Sequence, residues 1–586
     1  MSAYFPEAVP EQAANTFEIA LVLGGTVSAG GYTAGVLDFL FEALDAWEAA
    51  KKNGGTAADG SMLKPSEVAN HNVKIRVIAG TSGGALNGLI AARVLRYQYP
   101  AAPGTGNIYN PSVHGVAPYS KNPFYNTWVN ALDIKGFLAT TDLSNGAPVA
   151  SILNAKPLEQ AAGKVLGYSG PSAARGYVSD WLQVLLTYSN VPGVPYRQSF
   201  VGNAASWEYF TRHADFVRYA VSYSNAQNPP KWTADATVLP PAASWSQYLN
   251  NFLGTAAFPV GLPARVVARP ATDYRYRFVM VPGANGMTQA AWLAPEWQLL
   301  LGGTPPASYT FPSADGGCTN NQPVELARQL LVGTCAVLKH TSTEANRAII
   351  LVDPFTETPD MGAIPKPGQA IPLLSLLPRL VSMLVQSNRF SSSDSALFLN
   401  NSVYSHFLIA PRKKNLTGSE ALASTSLAAF LGFMAKAFRH HDYMLGRRNC
   451  QQFLRDVFAL DKTNPIFTGN TSQIGQTPTG ELPIIPLFAS ANTVQPDPAW
   501  PVGQCEPELL RGDIKSRVSA LLSSLSGRLT SSWLVKFVVM LLRPWVAGML
   551  TDACVNTIAD ALRKKKLLPE SPPSPSSTPP GQSPGG

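Results

Sequence analysis

The sequence predicts an α/β fold built on a mainly parallel sheet, because a short apolar strand, a turn and a helix occur twice within the first hundred residues. The first repeat is the strand Phe17–Leu23, a glycine-rich turn and a helix whose apolar residues recur at helical spacing from Val36 to Leu44. The second repeat is the strand Val73–Ile78 and the helix Gly83–Tyr97. This alternation predicts parallel strands with ligands bound at their carboxyl ends.

The rest of the chain divides by composition. Between residues 98 and 250 Pro, Gly, Asn, Ser and Tyr become common, which indicates an insertion that either caps the site or only supports it. Later apolar runs predict strands at Arg265–Ala268, Tyr276–Val281 and Ala348–Val352, and amphipathic patterns predict helices at Ile371–Val385, Ala421–Phe438 and Cys450–Leu460. We expect an N-terminal arm (1–16), the main domain in two parts (17–97 and 251–360), the insertion or cap (98–250), a mainly helical C-terminal region (361–568) and a disordered Pro/Ser/Gly tail (569–586).

Composition narrows the class of protein. Hydrophobic residues make up 45% of the chain and charged residues 14%, which is enough apolar material for a large core. A net charge of +8 favours anionic surfaces, but no arginine-rich stripe or zinc-finger spacing indicates nucleic acid. Five scattered cysteines without a C-x-x-C pair indicate neither a disulfide scaffold nor structural zinc. No secretory signal is evident, so we expect a cytoplasmic or peripheral membrane protein.

The strongest pattern is Gly80-Thr81-Ser82-Gly83-Gly84, which lies between the second strand and its helix. This is the G-x-S-x-G nucleophile elbow in the context that it requires. The sharp turn strains the serine backbone, and the flanking glycines let strand and helix approach without Cβ clashes. Ser82 is therefore the candidate nucleophile.

A glycine-rich turn, Gly24 to Gly31, joins the first strand to its helix. Free N–H groups at a helix N-terminus bind a phosphate or stabilise an oxyanion. The turn lacks G-x-G-x-x-G followed by a strand-end acid, and it lacks the Gly-Lys-Ser/Thr ending of a P-loop. Neither nucleotide-binding pattern therefore fits.

A third pattern, Asp315-Gly316-Gly317, is followed by Asn320-Asn321 and by Pro323 at the start of a helix. A lone D-G-G is usually an ordinary hydrogen-bonded turn. A serine elbow with no obvious histidine partner makes Asp315 a candidate base.

These blocks together resemble the patatin-like phospholipases. The family has a glycine-rich loop, G-x-S-x-G and D-G-G in this order, and the block Gly254–Pro259 resembles its small-residue loop with proline. The resemblance covers roughly residues 17–100 and 250–335. It implies a three-layer α/β/α sandwich around a mainly parallel sheet, with an inserted region and a helical C-terminal part. The segment Leu445–Cys450 is also similar to larger bacterial members, without an assigned role.

The resemblance implies a Ser–Asp dyad in which Ser82 attacks a fatty-acyl ester and Asp315 accepts its proton. The substrate would be a phospholipid or another acyl ester, with no metal and no cofactor. The implied oxyanion hole consists of backbone N–H groups in the glycine-rich loop and at the elbow: Gly24, Gly25, Thr26, Gly30, Gly31 and Gly83. The loop departs from the family, because its three glycines read Gly25-Thr26-Val27 here and Ala29 stands at the usual basic position.

Several alternatives stay open. A Ser-His-Asp triad would need one of the seven histidines, although none of the late ones sits in a recognisable catalytic turn. The same fold also serves transacylases and general esterases, and the altered loop is compatible with a catalytically weak scaffold that binds lipid or protein.

One apolar stretch raises the question of membrane contact. Trp533–Leu550 is long enough to span a bilayer, but it contains Lys536, Arg543 and the helix breaker Pro544. It is either a buried core helix or an interfacial helix, with Arg563–Lys566 near anionic head groups.

Overall fold

The computed structural model describes residues 8–11, 15–57, 59–102, 110, 112, 121–143, 148–199, 207–223, 230, 236–239, 245–282, 288–304, 307–334, 336–356, 367–368, 383, 387, 397–427, 429–467, 475–529 and 533–569. The C-terminal tail and most of the predicted helix Ile371–Val385 lie outside these residues.

The central element is one large sheet. Its strands are β1 Thr16–Leu23, β2 Asn72–Gly80, β3 Val178–Ser199, β4 Trp207–Ser222, β5 Thr237–Leu239, β6 Arg265–Pro270, β7 Ser308–Ala314, β8 Arg347–Val352 and β9 His406–Ile409. Smaller pairs form between Gly55–Thr56 and Met62–Leu63, Phe278–Pro282 and Thr288–Trp292, Arg412–Lys413 and Leu416–Thr417, and Ala459–Leu460 and Leu482–Pro483.

The strand order is β9-β8-β1-β2-β3-β7-β6, and β4 lies between β3 and β5. The five strands from β9 to β3 are parallel to their neighbours, whereas β7 and β4 are antiparallel to β3. The mainly parallel sheet predicted from the sequence is therefore confirmed.

Helices cover both faces of the sheet. The longer ones are α1 Gly30–Asn53, α2 Gly83–Val94, α3 Lys156–Leu166, α4 Ser246–Thr255, α5 Val324–Val332, α6 Lys436–Asp456, α7 Arg511–Leu529 and α8 Trp533–Lys564. Short helices lie at Pro123–Tyr125, Ile134–Leu138, Trp297–Leu301 and Ala489–Asn492, and a π-helical turn lies at Asn126–Ala131. Short 3-10 turns lie at Val27–Ala29, Pro65–Glu67, Ala271–Tyr276, Gly316–Cys318, Gly418–Ala421, Leu431–Met434 and Pro507–Leu510.

The two faces of β1 belong to different cores. Ile19, Leu21 and Leu23 pack into the larger core, which also contains the apolar residues of α1, α2 and α6. Ala20 and Val22 face the smaller core with α5. Burial on both faces explains why the strand reads as a continuous apolar run, and it gives the α/β/α sandwich.

The C-terminal part is integral to this sandwich, because α6 packs along α1 at very short range. A Cβ at Gly35 would collide with the Tyr443 carbonyl, and one at Gly446 would collide with the Tyr32 carbonyl. The buried Arg447 forms ion pairs with Asp38 and Glu42 on α1. The segment Leu445–Cys450 thus has a packing role that the sequence alone did not reveal.

One predicted boundary needs correction. Residues 98–250 are not a separate insertion, because β3 pairs with β2 inside the central sheet and β4 extends it. The region predicted as mainly helical, 361–568, also supplies β9, which forms the sheet edge next to β8.

One predicted helix is also corrected. The segment Ala421–Phe438 contains positive φ angles at Ser426, Leu427 and Ala429, so it runs as short turns until α6 begins at Lys436. An α-helix requires negative φ throughout.

Candidate active site

Sheet register brings Ser82 and Asp315 together. β2 runs parallel to β3 and ends with Gly80 opposite Leu186. β7 runs antiparallel to β3 and ends with Ala314 opposite Ser189. Both strands pair with the edge of β3 that faces away from β4, so their carboxyl ends point towards each other across a two-residue gap. The residues that follow the two strand ends therefore meet.

Ser82 occupies a strained turn between β2 and α2. Its φ of 51° and ψ of −122° are unusual for any residue with a side chain. A Cβ at Gly84 would collide with the Leu23 carbonyl, and one at Gly80 would lie 2.8 Å from the Gly84 carbonyl oxygen. The Ser82 N–H donates to Thr255 Oγ1 at 2.9 Å, which holds the turn in place. Such strain persists only where surrounding contacts support it, and it is common at functional sites.

The two candidate side chains form a direct hydrogen bond. Ser82 Oγ donates to Asp315 Oδ2 at 2.6 Å, and both residues are buried. The other carboxylate oxygen, Oδ1, accepts from the Gly317 N–H at 2.7 Å. Burial raises the pKa of Asp315 to about 6, although both hydrogen bonds favour the carboxylate.

The loop that carries Asp315 is fixed to β3. Thr81 Oγ1 and Thr187 Oγ1 lie 2.5 Å apart, and both donate to the Asn320 carbonyl at 3.1 Å. Ser189 Oγ donates to the Asp315 carbonyl at 2.8 Å. The gap between the two strand ends is therefore closed by hydroxyl groups that set the position of the carboxylate.

The glycine-rich loop supplies fewer free donors than the sequence predicted. The Gly24 N–H donates to the Val352 carbonyl, the Gly25 N–H to Asn321 and the Gly30 N–H to Ser28 and Val27. These three N–H groups are already used within the chain, which corrects the prediction that they line the oxyanion hole. Gly31 lies on α1 against the Arg439 backbone and not beside Ser82.

Three N–H groups next to the nucleophile remain available. Those of Thr26, Val27 and Gly83 donate to no acceptor in the described part of the chain. Val27 has a φ of 47°, a genuine outlier for a β-branched residue. It stands third in the run Gly25-Thr26-Val27, where the patatin pattern has glycine. Of the predicted donors, Thr26 and Gly83 therefore have unengaged N–H groups in the described part of the chain, and Val27, which was not predicted, has one as well.

A narrow apolar cavity of about 40 Å³ opens beside Ser82. Apart from Ser82 and Gly83, its walls are apolar side chains from the turn before α1, from α2, α3 and α4, from residues 128–137, from the segment after α4 and from the turns before α6. They are Val27, Leu86, Trp128, Leu132, Phe137, Leu158, Phe252, Ala256, Phe258, Leu262, Phe430 and Phe433. The rings of Phe258, Phe430, Phe433 and Phe137 contact one another in sequence and narrow the cavity.

Comparison with known proteins places the chain in a family. It is 31% identical over 535 residues to the uncharacterized protein y4iI of Sinorhizobium fredii (strain NBRC 101917 / NGR234). The alignment covers 83% of this chain and 72% of that protein. The chain belongs to the y4iI family. No family model matches it.

In this y4iI-family chain the described histidines are engaged away from Ser82. His71 contacts the Ile484 carbonyl, and His213 contacts the Asn190 carbonyl. His340 and His406 share Ser405, His440 contacts Tyr125 and His441 contacts Asp442. His114 lies outside the described residues. Among the described histidines, none is hydrogen-bonded to the nucleophile as a triad would require.

Sequence reasoning missed two supporting residues that the y4iI-family structure places at the site. Thr255 holds the elbow N–H, and its only signal in the sequence was its place in the block Gly254–Pro259. Trp128 packs its ring against Gly30 and Gly83, and its Nε1 donates to Asn87 at 2.8 Å. Trp128 comes from the segment predicted as a cap, where no pattern indicated contact with the elbow.

The apolar stretch near the C-terminus is part of the long helix α8, which continues through Pro544. Within the described part of the chain, no helix combines the length and the hydropathy that a membrane span requires. Lys565 is not a free surface cation, because its Nζ donates to the carbonyls of Ser419 and Leu422 and to Thr425 Oγ1.

Proposed function

We propose that this chain is a patatin-like serine lipid acyl hydrolase that uses a Ser–Asp dyad. The observation that carries the proposal is the 2.6 Å hydrogen bond from Ser82 Oγ to Asp315 Oδ2. A nucleophile bonded directly to its base, on a strained turn at a helix N-terminus, is the arrangement that acyl transfer requires.

In the proposed reaction Ser82 Oγ attacks the carbonyl carbon of an ester while its proton moves to Asp315. The tetrahedral intermediate collapses, the proton passes to the leaving alcohol, and an acyl-enzyme forms. Water then attacks this ester with Asp315 again acting as the base, which releases the fatty acid and restores Ser82.

The environment of Asp315 suits this role. A carboxylate with an ordinary pKa is a weak base at neutral pH, whereas a pKa raised to about 6 brings it closer to the working pH. The group is still mostly ionised at pH 7, so it is able to accept the proton. Burial raises this pKa, and the hydrogen bond from the Gly317 N–H holds the other carboxylate oxygen, Oδ1, in place.

The negative charge on the former carbonyl oxygen needs donors that are already oriented. The N–H groups of Thr26, Val27 and Gly83 are unpaired in the described part of the chain; the first two lie just before α1 and the third at the start of α2. We assign the oxyanion hole to them, and losing one such donor typically costs about 2.7–4 kcal/mol of transition-state stabilisation.

The cavity supports an acyl substrate, because its walls are apolar and Ser82 lies at its surface. A volume of about 40 Å³ is too small for a fatty-acyl chain without movement of the phenylalanine rings. Substrate binding would therefore open this wall, as is common in enzymes that exclude water from their sites.

A panel of defined phospholipids, lysophospholipids and neutral glycerides tests the proposal, with released acids measured by mass spectrometry. We expect hydrolysis by the parent protein and none by Ser82→Ala at equal concentration and unchanged fold. Adding glycerol separates hydrolysis from transacylation, because a transacylase would form new esters. Absence of any turnover would favour a scaffold, and turnover by Ser82→Ala within tenfold of the parent would exclude Ser82.

We also propose peripheral contact with anionic membranes through the hairpin of α7 and α8. Residues 511–566 contain ten lysines and arginines against three aspartates. Two of these cations, Arg517 and Lys565, are engaged within the fold, and the others give the hairpin a net positive charge. Trp545 and Met549 lie one helical turn apart on α8 and are exposed by 66% and 54%. An aromatic residue among cations is typical of interfacial helices.

A double substitution tests this contact without removing α8, whose Val555 and Leu562 are buried in the core. Trp545→Gln with Met549→Gln should weaken binding to phosphatidylglycerol vesicles while thermal unfolding stays unchanged. Met62→Gln is the matched control, because Met62 is 75% exposed and lies far along the chain, on the strand Met62–Leu63. Equal vesicle binding by parent and double variant would exclude α8 as the contact.

A further inference from the structure

A second cleft lies between the sheet edge and helix α6, away from the apolar cavity at Ser82. It has a volume of about 380 Å³, and its walls are β9, the hairpin Arg412–Thr417 and the outer face of α6. Three cationic side chains line it, namely Arg412, Lys414 and Arg448. None of its lining residues lines the cavity at Ser82.

Two basic residues next to these cations in the sequence form ion pairs within the fold, whereas the three cations that line the cleft form none in the part of the chain that the structure describes. Lys413 turns inward and pairs with Asp497 at 2.8 Å, and Arg447 is buried against Asp38. Arg412, Lys414 and Arg448 have no carboxylate within 4.0 Å among the described residues. The acid in the same cleft, Asp456, is bound by Arg455 at 2.8 Å.

The cleft is held in shape by its own hydrogen bonds. Asn449 Oδ1 accepts from the Arg412 N–H at 2.9 Å, and Asn449 Nδ2 donates to the Arg412 carbonyl at 2.8 Å. Asn449 is buried, and it binds both the N–H and the carbonyl of Arg412, so the hairpin is held against α6. Lys414 has a φ of 49°, an uncommon angle that places it at the turn of this hairpin.

We propose that this cleft binds an anion that carries a phosphomonoester or diphosphate group. Three cations that share one cleft and lack acid partners repel one another, and a multiply charged anion would remove that repulsion. Arginine forms paired hydrogen bonds to phosphate oxygens and lysine supplies a further charge, while the volume suits a small ligand. The site does not depend on the proposed hydrolase activity.

The first probe is inorganic pyrophosphate, measured by titration calorimetry on the full chain at low ionic strength. The second is phosphatidylcholine vesicles with and without phosphatidic acid, measured by co-sedimentation. Binding of pyrophosphate alone indicates a free phosphate ligand, and binding of phosphatidic acid vesicles alone indicates a lipid head group. Either result, if it depends on the three cations, supports the site.

Arg448→Gln should weaken pyrophosphate binding at least about tenfold, and combination with Arg412→Gln should weaken it about a hundredfold. Arg448→Lys keeps the charge but loses the paired hydrogen bonds, so its affinity should lie between those of the parent and of Arg448→Gln, which separates the contribution of charge from that of hydrogen bonding. Lys52→Gln, an exposed cation at the end of α1, is the matched control. The proposal is overturned if the parent binds neither probe, or if Lys52→Gln weakens binding as much as Arg448→Gln does.

Discussion

Replacement of Asp315 by asparagine should abolish activity and at the same time stabilise the protein above pH 6. The pKa of this buried carboxyl rises from 3.8 to about 6, which corresponds to about 3 kcal/mol at about 1.4 kcal/mol for each pKa unit. The folded protein holds this proton more tightly than the unfolded chain does. The contribution is therefore fully present below pH 3.8 and is lost as pH rises through about 6. Asparagine carries no charge at either pH and escapes this loss.

Urea unfolding at pH 5 and pH 8 measures the effect. The difference in unfolding free energy between Asp315→Asn and the parent should increase with pH, by about 1.4 kcal/mol over this interval. Hydrolysis of a 4-nitrophenyl ester by the variant should fall at least about a hundredfold, since an amide cannot accept the serine proton. The parent should lose activity as pH falls through about 6. A stability difference that is the same at both pH values would refute a buried carboxyl with a raised pKa.

Three further changes probe the loop, the elbow and the cavity wall. Val27→Gly should stabilise the protein by about 1 kcal/mol in urea unfolding. It removes a side chain at positive φ, which costs about 1–3 kcal/mol, but the flexibility of glycine in the unfolded chain cancels part of this gain. A clear loss of stability would contradict the strain at Val27. Thr255→Val should lower kcat at similar KM, whereas Thr255→Ser should retain the parent kcat, because serine but not valine can accept a hydrogen bond from the Ser82 N–H. Equal kcat in both variants would show that this hydrogen bond does not support catalysis. Phe433→Ala should widen the cavity and shift the preference among 4-nitrophenyl esters to longer chains, and an unchanged chain-length profile would remove Phe433 from the acyl pocket.

The parallel core was predictable because its signals are local. β1 and β2 each end in an apolar run, and glycine-rich turns lead directly into α1 and α2. β3 was missed because its interior contains polar residues and two prolines. Gln183 is buried there because Arg218 on β4 donates to it at 3.0 Å, a pairing that no local pattern reveals. Tertiary contacts therefore decided the boundary of the domain.

In the candidate site, too, the local patterns were predictable and the tertiary contacts were not. Ser82 and Asp315 each lie in a recognisable turn, so both could be named from the sequence, although 233 residues separate them. Which N–H groups stay free depends on partners far along the chain, such as Val352 for Gly24 and Asn321 for Gly25. The contribution of Phe430 and Phe433 to the cavity wall could not be predicted either, because the sequence of this segment indicates a helix and Ser82 lies more than 300 residues away along the chain.

Covalent labelling of Ser82 tests the central claim most directly. The protein is treated with a fluorophosphonate, digested and analysed by peptide mass spectrometry, in parallel with Ser82→Ala and Asp315→Asn. We expect one adduct on the peptide that contains Ser82, none in Ser82→Ala and much slower labelling in Asp315→Asn. An adduct on a different serine, or ester hydrolysis by a protein that does not label at Ser82, would contradict this claim.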